Sequence, residues 1–138
     1  DIVLNIGCGT GYETAILSQV AQTVVAIDSE PALVAHATAA LEKTGIDNAV
    51  VIEAPLADGH AEEGPYDAIL IAGLIDDVPA ALLDQLKDGG RLVTVISTGR
   101  FGAVTQWRRF GDSFDRRWLF DAGAPRLHAF DRPAAFAF

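Results

Sequence analysis

The feature that most restricts the possible folds is a glycine-rich segment, IGCGTGYET at residues 6–14, which directly follows an apolar run. Its three glycines, Gly7, Gly9 and Gly11, stand on alternate residues. A glycine-rich turn between a buried strand and a helix lets backbone N–H groups approach a ligand closely. The segment therefore predicts a strand–loop–helix unit whose loop holds a dinucleotide, a phosphate or another adenosine-bearing cofactor.

Strands and helices alternate along the chain, which predicts an α/β sandwich with a mainly parallel sheet. Apolar runs predict five parallel strands at residues 1–6, 23–28, 49–53, 66–73 and 91–96. Helical spacing predicts helices over residues 12–20, from Ser29 as cap to Gly45, and from Pro79 through Leu86. Residues 104–110 and 114–120 flank the turn GDS and predict an antiparallel hairpin, with Trp107 and Trp118 facing each other across it.

Composition restricts the class of function. Ten basic and 19 acidic side chains give a net charge of −9, which disfavours a nucleic-acid partner. The one cysteine excludes an internal disulfide, and the three histidines have no partner at ligand spacing, so we expect no metal site. We expect Cys8 to be a small residue that fits the turn; a thiolate stabilised near the helix start is the alternative.

The extent of the chain and its hydropathy lead to two further expectations. No apolar run approaches the ~20 residues of a membrane-spanning helix, so we expect a cytoplasmic protein that makes no membrane contact. The 138 residues include no methionine and open at Asp1, within the first predicted strand. We therefore expect residues 1–138 to be a single domain whose N-terminal segment is missing from this sequence.

The spacing of the glycines helps to distinguish between cofactors. In the dinucleotide fingerprint G-x-G-x-x-G the third glycine would stand at Tyr12, but here it comes one residue early, at Gly11. The resulting loop has no dedicated pyrophosphate seat and favours an adenosine cofactor without a diphosphate. Asp28 ends the second predicted strand, where an acid can accept hydrogen bonds from both ribose hydroxyls. The alternatives are a plain tight turn and a helix-capping role for Asp28.

The successive motifs of the chain resemble those of protein-L-isoaspartate O-methyltransferases, which are class I S-adenosylmethionine-dependent methyltransferases. The matching segments are VLNIGCGTGYETAILS, VVAIDSEPAL, PYDAILIAG, VPAALLDQLKDGGRLV and GDSFDRRWLFDA. The resemblance implies a Rossmann-like sandwich with a seven-stranded sheet of order 3-2-1-4-5-7-6, one hairpin strand lying antiparallel between its neighbours. It also implies protein repair, by methyl transfer from S-adenosylmethionine to the carboxylate of isoaspartyl residues in a protein or peptide.

The resemblance further implies which residues hold the cofactor. The glycines would border its methionine end, Asp28 would hold the ribose and Ser29 would lie beside the adenine. Asn5 and Leu56, at which this chain departs from the family, are expected to line the same site. The full expected set is therefore Asn5, Gly7, Gly9, Gly11, Asp28, Ser29 and Leu56. No catalytic residue is assigned, because a carboxylate with a pKa near ~4 is ionised at neutral pH and needs no general base.

Three departures from the family pattern matter for the site. Asn5 stands where the family's first strand carries an acid, and it lacks the charge that favours the cofactor's ammonium group. Residues 54–56, Ala-Pro-Leu, replace the family's GDG, so the adenine would be held by apolar contact and the backbone of Leu56. Asp76 and Asp77 follow the fourth strand, where they would repel an incoming carboxylate if they face it; the alternative is that both are solvated or start the next helix. Arg100, after the fifth strand, is a candidate partner for a substrate carboxylate; the alternative is a solvated loop arginine.

Other functions remain open from the sequence. Asn5 and the Ala-Pro-Leu segment are also compatible with a methyltransferase-like binding module that has lost catalysis. A class I methyltransferase with another small substrate is a further alternative. A nicotinamide-dependent oxidoreductase is disfavoured by the early position of Gly11.

Overall fold

Seven strands form one mixed sheet in this computed structural model, which describes residues 1–132. The strands are β1 (Ile2–Ile6), β2 (Thr23–Asp28), β3 (Ala49–Glu53), β4 (Tyr66–Ile75), β5 (Leu86–Ser97), β6 (Gly102–Phe110) and β7 (Ser113–Asp121). The helices are α1 (Tyr12–Ser18), α2 (Pro31–Lys43) and α3 (Ala80–Leu83), with 3-10 turns at Leu56–Asp58, Ala61–Glu63 and His128–Phe130. No helix in this described range has the length and apolar content to cross a membrane.

The sheet confirms the predicted fold class but not the predicted order of its last two strands. The order is β3-β2-β1-β4-β5-β6-β7; β1 to β5 are parallel to one another, β6 is antiparallel to β5, and β7 is antiparallel to β6. The expected end, 5-7-6, is therefore wrong. The N–H of Thr98 donates to the carbonyl of Phe101 at 2.9 Å, which closes a tight turn between β5 and β6. Because this connection is so short, β6 can only pair directly with β5.

The region before β5 also differs from the prediction. Helix α3 ends at Leu83, and Leu86 begins a strand instead of ending a helix. Leu86 is fully buried and pairs with Tyr66, and the sheet register shifts before the next pair. Gly89, with φ +79°, belongs to this irregular stretch of β5, so the glycine pair there is a bulge within the strand.

The hairpin forms as predicted, but its two tryptophans do not face each other. Its strands are joined by two residues, since Phe110 pairs with Ser113. Trp107 therefore lies opposite Arg116, and Trp118 lies opposite Thr105. Trp107 packs against the core, while Trp118 is exposed.

Helix α2 shows how local sequence sets an element's bounds. Pro31 occupies its first turn, where the missing N–H costs nothing. At the other end the N–H of Gly45 donates to Glu42 O and the N–H of Ile46 donates to Leu41 O. This is a Schellman ending, and it requires the positive φ of Gly45, +74°. The predicted cap at Ser29 is wrong: the N-cap is Glu30, and no side chain caps the helix.

The alternating faces of the parallel strands carry two separate apolar clusters. On one face, the buried side chains of β1, β2, β4 and β5 pack with Leu56, Leu82 and Phe130. On the other face a smaller cluster joins Ala26 of β2 to Ala37 of α2 and to Cys8. The central strands β1 and β2 are thus buried along almost their whole length, as expected for parallel β-structure, while β3 at the sheet edge is partly exposed.

Candidate cofactor site

The glycine loop lies at the point where the direction of strand order reverses. Strand β1 lies between β2 and β4, so chain order runs outward through β2 and β3 on one side and through β4 and β5 on the other. In open parallel sheets, ligands bind beyond the carboxyl ends of the strands at this switch point. The loop that follows β1 and the residues that follow β2 therefore share the edge where a ligand is expected.

All three loop glycines adopt backbone conformations that other residues avoid. Gly7, Gly9 and Gly11 have φ values of +79°, +55° and +90°. The N–H groups of Gly7 and Cys8 both donate to the carbonyl of Ile27, at 2.9 and 3.2 Å. The loop is therefore pinned to the end of β2 through its backbone.

The three glycines differ in what surrounds them. A Cβ on Gly11 would lie 3.1 Å from the Cβ of Ala37, so this glycine lets α2 pack against the loop. A Cβ on Gly9 would meet no heavy atom within 4 Å, so the middle of the loop borders open space. A Cβ on Gly7 would lie 3.3 Å from Leu127, which covers the end of β1.

The carboxylate of Asp28 joins the loop to the start of α2. Its Oδ2 accepts a hydrogen bond from Gly9 N–H at 3.0 Å, and its Oδ1 accepts one from Glu30 N–H at 3.1 Å. The side chain is only 6% exposed. A carboxylate oxygen has two lone pairs, so each retains one for a further donor. The structure thus brings Asp28 to the glycine loop, with Ser29 exposed beside it.

Asn5 forms a contact that the sequence reasoning missed. Its side chain is fully buried, and its Nδ2 donates to Oε1 of Glu13 at 3.0 Å. Its Oδ1 has no hydrogen-bond partner, and neither has the buried hydroxyl of Thr14. Burial raises the pKa of Glu13, although the hydrogen bond from Asn5 opposes that shift. The signal that could have identified Glu13 was an acid two residues after the last loop glycine.

Leu56 is not part of this polar cluster. It is 7% exposed and packs in the core with Ile27 and Phe130. The backbone connects it to the site, because the N–H of Ala54 donates to the carbonyl of Asp28 at 3.0 Å. The Leu56 side chain therefore faces the interior, two residues beyond a segment tied to the end of β2.

Cys8 is not an activated thiol. Burial raises the pKa of Cys8 to about 11, and the negative charges of Asp28 and Glu13 raise it too. The alternative of a stabilised thiolate is wrong for this reason. Within residues 1–132 no group of three His, Cys, Asp or Glu side chains is placed to hold a metal ion.

The two aspartates after β4 are paired with arginines from the end of the described chain. Asp76 Oδ1 accepts from Arg126 at 2.9 Å, and Asp77 accepts two bonds from Arg132. These hydrogen bonds lower the pKa of both carboxyls, and the arginines offset the charge that would repel an acceptor carboxylate. Asp77 is exposed, as the solvated alternative predicted, and the pairing with arginines is the feature that the sequence did not predict.

The same segment crosses the sheet edge beside the glycine loop. The carbonyl of Pro125 accepts from Leu74 N–H at 2.8 Å, and the N–H of Leu127 donates to Leu74 O at 2.9 Å. A Cβ on Gly73 would lie 2.6 Å from Leu127 Cγ, so small residues in β4 and at Gly7 make room for this leucine. The segment therefore lies over the ends of β1 and β4.

A cleft of about 440 Å³ opens at the same edge of the sheet. Its lining includes Leu74 near the end of β4, Arg100 and Phe101 in the turn after β5, and Asp121 at the end of β7. Arg100 is exposed, with its guanidinium carbon 6.0 Å from the Phe101 ring centroid. A larger cavity of about 640 Å³, lined by Lys87 and the β6–β7 turn, lies at the opposite edge, away from the loop.

Comparison with known proteins points to one family. Residues 1–117 match the family model described as protein-L-isoaspartate(D-aspartate) O-methyltransferase. The chain is 36% identical over 135 residues to protein-L-isoaspartate O-methyltransferase of Rhizobium meliloti (strain 1021), covering 97% of this chain and 65% of that protein. It is 47% identical over 94 residues to protein-L-isoaspartate O-methyltransferase 2 of Shewanella sediminis (strain HAW-EB3), covering 66% of this chain and 37% of that protein.

Solved structures are similar over most of the chain. A protein-L-isoaspartate O-methyltransferase superposes with a TM-score of 0.85 at 27% identity, covering 91% of this chain and 41% of that one. A Plasmodium falciparum structure with S-adenosyl-L-homocysteine bound has a TM-score of 0.75; its 22% identity supports the fold alone, over 91% of this chain and 65% of that one. The chain thus spans between about a third and two thirds of the length of these proteins.

Proposed function

The chain belongs to the protein-L-isoaspartate(D-aspartate) O-methyltransferase family, and from this premise we propose that the protein methylates the free carboxylate of isoaspartyl residues with S-adenosylmethionine. We also propose that residues 1–138 form one cofactor-binding domain of a longer protein, since the relatives extend well beyond the match. The observation that carries the proposal is the 3.0 Å contact between Gly9 N–H and Asp28 at the sheet's switch point.

The proposed cofactor residues are those expected from the sequence. Their set is Asn5, Gly7, Gly9, Gly11, Asp28, Ser29 and Leu56. Two observations support the fit of S-adenosylmethionine: open space above Gly9, and the unpartnered, buried Oδ1 of Asn5. In the proposal, Asp28 uses its remaining lone pairs for the ribose hydroxyls, and Leu56 contributes its backbone on the adenine side.

Methyl transfer to a carboxylate requires that the two reactants are positioned correctly and that water is excluded from the site. When bound, S-adenosylmethionine would supply its sulfonium methyl group to the acceptor: the S–CH3 bond would break as the carboxylate oxygen forms the new O–CH3 bond in line with it, giving a methyl ester, and S-adenosylhomocysteine would leave with the electron pair. The acceptor is already ionised at neutral pH, so the protein needs no general base. The contribution of this chain is to hold the two reactants in line and to keep water out of the site. Leu127 and the segment around it cover the ends of β1 and β4, and this cover helps to keep water out of the site.

The cleft beside Arg100 is the proposed entrance for the acceptor. It opens at the same sheet edge as the glycine loop, and Arg100 offers a positive charge to a carboxylate. The apolar ring of Phe101, 70% exposed, provides a surface for the peptide chain around the isoaspartyl residue. Both residues stand on the β5–β6 turn, beyond the strand ends where the cofactor is proposed to lie.

A binding module without catalysis is the second candidate. Two observations favour it: both oxygens of Asp28 already accept backbone hydrogen bonds, and Leu127 lies against Gly7. In that case the protein retains the fold, while the site is closed by its own side chains.

The test uses the complete protein that carries this chain. Calorimetry with S-adenosylhomocysteine is expected to show binding, and labelled S-adenosylmethionine is expected to methylate an isoaspartyl peptide but not the matching aspartyl peptide. Asp28→Ala is the control for both measurements. Binding without transfer to either peptide would discard the isoaspartyl substrate and keep the cofactor site. The absence of heat with S-adenosylhomocysteine would favour the binding module.

A further inference from the structure

We infer that Glu13 supplies the negative charge for the ammonium group at the methionine end of the cofactor, a role that the neutral side chain at Asn5 cannot fill. The inference rests on the proposed use of S-adenosylmethionine. Glu13 follows the glycine loop in the first turn of α1, and its carboxylate reaches back to the side chain of Asn5 at the end of β1.

The orientation of the Asn5 amide follows from its neighbour. An ionised carboxylate only accepts hydrogen bonds, so Asn5 must turn its Nδ2 toward Glu13. This leaves Oδ1, a second acceptor, buried and without a donor. A fully buried amide oxygen without a partner is unusual in a folded protein and indicates a missing donor.

The local charge is also unbalanced. Among the described residues no Lys, Arg or His forms an ion pair with Glu13. Burial raises the pKa of the Cys8 thiol in this loop, and the negative charges of Asp28 and Glu13 raise it further, so both carboxylates act on the loop. The loop therefore presents two acceptors, the Glu13 carboxylate and Asn5 Oδ1, and no cation of its own.

A primary ammonium group matches this need. It carries one positive charge and three N–H donors, so it can bond to the Glu13 carboxylate and to Asn5 Oδ1 together. A neutral hydroxyl or a second anion would leave the carboxylate uncompensated. The site thus contains the Glu13 carboxylate in contact with the Asn5 amide, and its negative charge lies on α1 instead of on β1.

The test compares two ligands and four forms of the complete protein. The ligands are S-adenosylhomocysteine and its desamino analogue, in which hydrogen replaces the α-amino group. The forms are the unaltered protein, Glu13→Gln, the double variant Asn5→Asp/Glu13→Gln, and Glu42→Gln, which removes an exposed glutamate of α2. Calorimetry measures each affinity, so the readout does not depend on turnover.

Glu13→Gln is expected to weaken S-adenosylhomocysteine binding about 10- to 100-fold, the loss of one charge-assisted hydrogen bond. It should leave the affinity for the desamino analogue unchanged, which also shows that the variant is folded. The double variant returns the charge to the strand and should recover most of the lost affinity. Glu42→Gln should bind both ligands like the unaltered protein.

Two results are decisive against the inference. If Glu13→Gln weakens both ligands equally, or weakens neither, Glu13 does not contact the ammonium group, and the proposed function is unaffected. If the unaltered protein binds neither S-adenosylhomocysteine nor the analogue, the proposed cofactor and this inference both fail.

Discussion

Gly9 and Asp28 are joined by a partly buried hydrogen bond, from the Gly9 N–H to Asp28 Oδ2 at 3.0 Å. The bond closes the glycine loop onto the end of β2, and the other carboxylate oxygen accepts from Glu30 N–H. Asp28 thus has a structural role in addition to its proposed contact with the ribose. The two roles can be separated by measuring stability without ligand.

Asp28→Asn is expected to destabilise the free protein by about 1–3 kcal/mol. The substituted amide keeps the size of the side chain but turns an N–H₂ group toward one of the two backbone donors. Urea unfolding checks this, with Asp47→Asn as the control because Asp47 is exposed. Equal unfolding midpoints for the two variants would show that the hydrogen bonds to the Asp28 carboxylate contribute nothing to stability.

Gly11→Ala is expected to destabilise the protein more than Gly45→Ala does. Both glycines have positive φ, +90° and +74°, which costs a substituted alanine about 1–2 kcal/mol. Only at Gly11 does the new methyl group also meet Ala37, at 3.1 Å, and push α2 from the loop. Thermal unfolding of both variants measures the difference; a larger loss at Gly45 would contradict this packing.

Cys8 is expected to resist alkylation in the folded protein. With a pKa raised to about 11, its thiolate fraction at about pH 8 is near 0.1%, and burial also limits access. Mass spectrometry after iodoacetamide treatment should find the folded protein unmodified and the protein in guanidinium chloride fully modified. Rapid modification of the folded protein would mean that the loop opens readily.

Phe130→Ala is expected to cost about 3–5 kcal/mol and to release the segment that crosses the strand ends. Phe130 is buried in the main core, and no other large apolar side chain of His128–Phe130 is buried with it. Trypsin should then cleave faster after Arg126, as followed by mass spectrometry. Phe101→Ala, at a side chain 70% exposed, should leave the cleavage rate unchanged. Slow cleavage of Phe130→Ala would show that the ion pairs of Arg126 and Arg132 hold the segment without it.

The raised pKa of Glu13 has a predictable effect on stability. As pH rises above the ordinary value of 4.5, the unfolded chain ionises first and the folded protein retains its proton. The folded state then binds more protons, so its stability falls relative to Glu13→Gln until pH passes the folded pKa. Urea unfolding across this range checks the sign, with Glu42→Gln as the baseline. A stability difference that grows in favour of the unaltered protein would reverse the assignment.

The order of the hairpin strands shows what pattern alone could not decide. Periodicity and turn residues correctly predicted two antiparallel strands, but they carry no information on which strand joins the sheet. That choice depends on the length of the connection after β5, which closes between Thr98 and Phe101. The same limit applies to the start of β5. Helical spacing predicted that the helix continues through Leu86, but Leu86 begins the strand and pairs with Tyr66.

Local spacing in the sequence was enough to predict the alternation of strands and helices, the glycine loop, and the position of Asp28 beside that loop at the common edge of parallel strands. These follow from backbone geometry over a few residues and from the shared direction of β1 and β2. Which side chains of different elements meet depends on how the chain packs in three dimensions. Glu13 reaches Asn5, 8 residues earlier, because the glycine loop brings the first turn of α1 back to the end of β1. Asp76 and Asp77 are paired with Arg126 and Arg132, 50 or more residues later. Such pairs depend on how the elements pack in three dimensions, which no local pattern encodes.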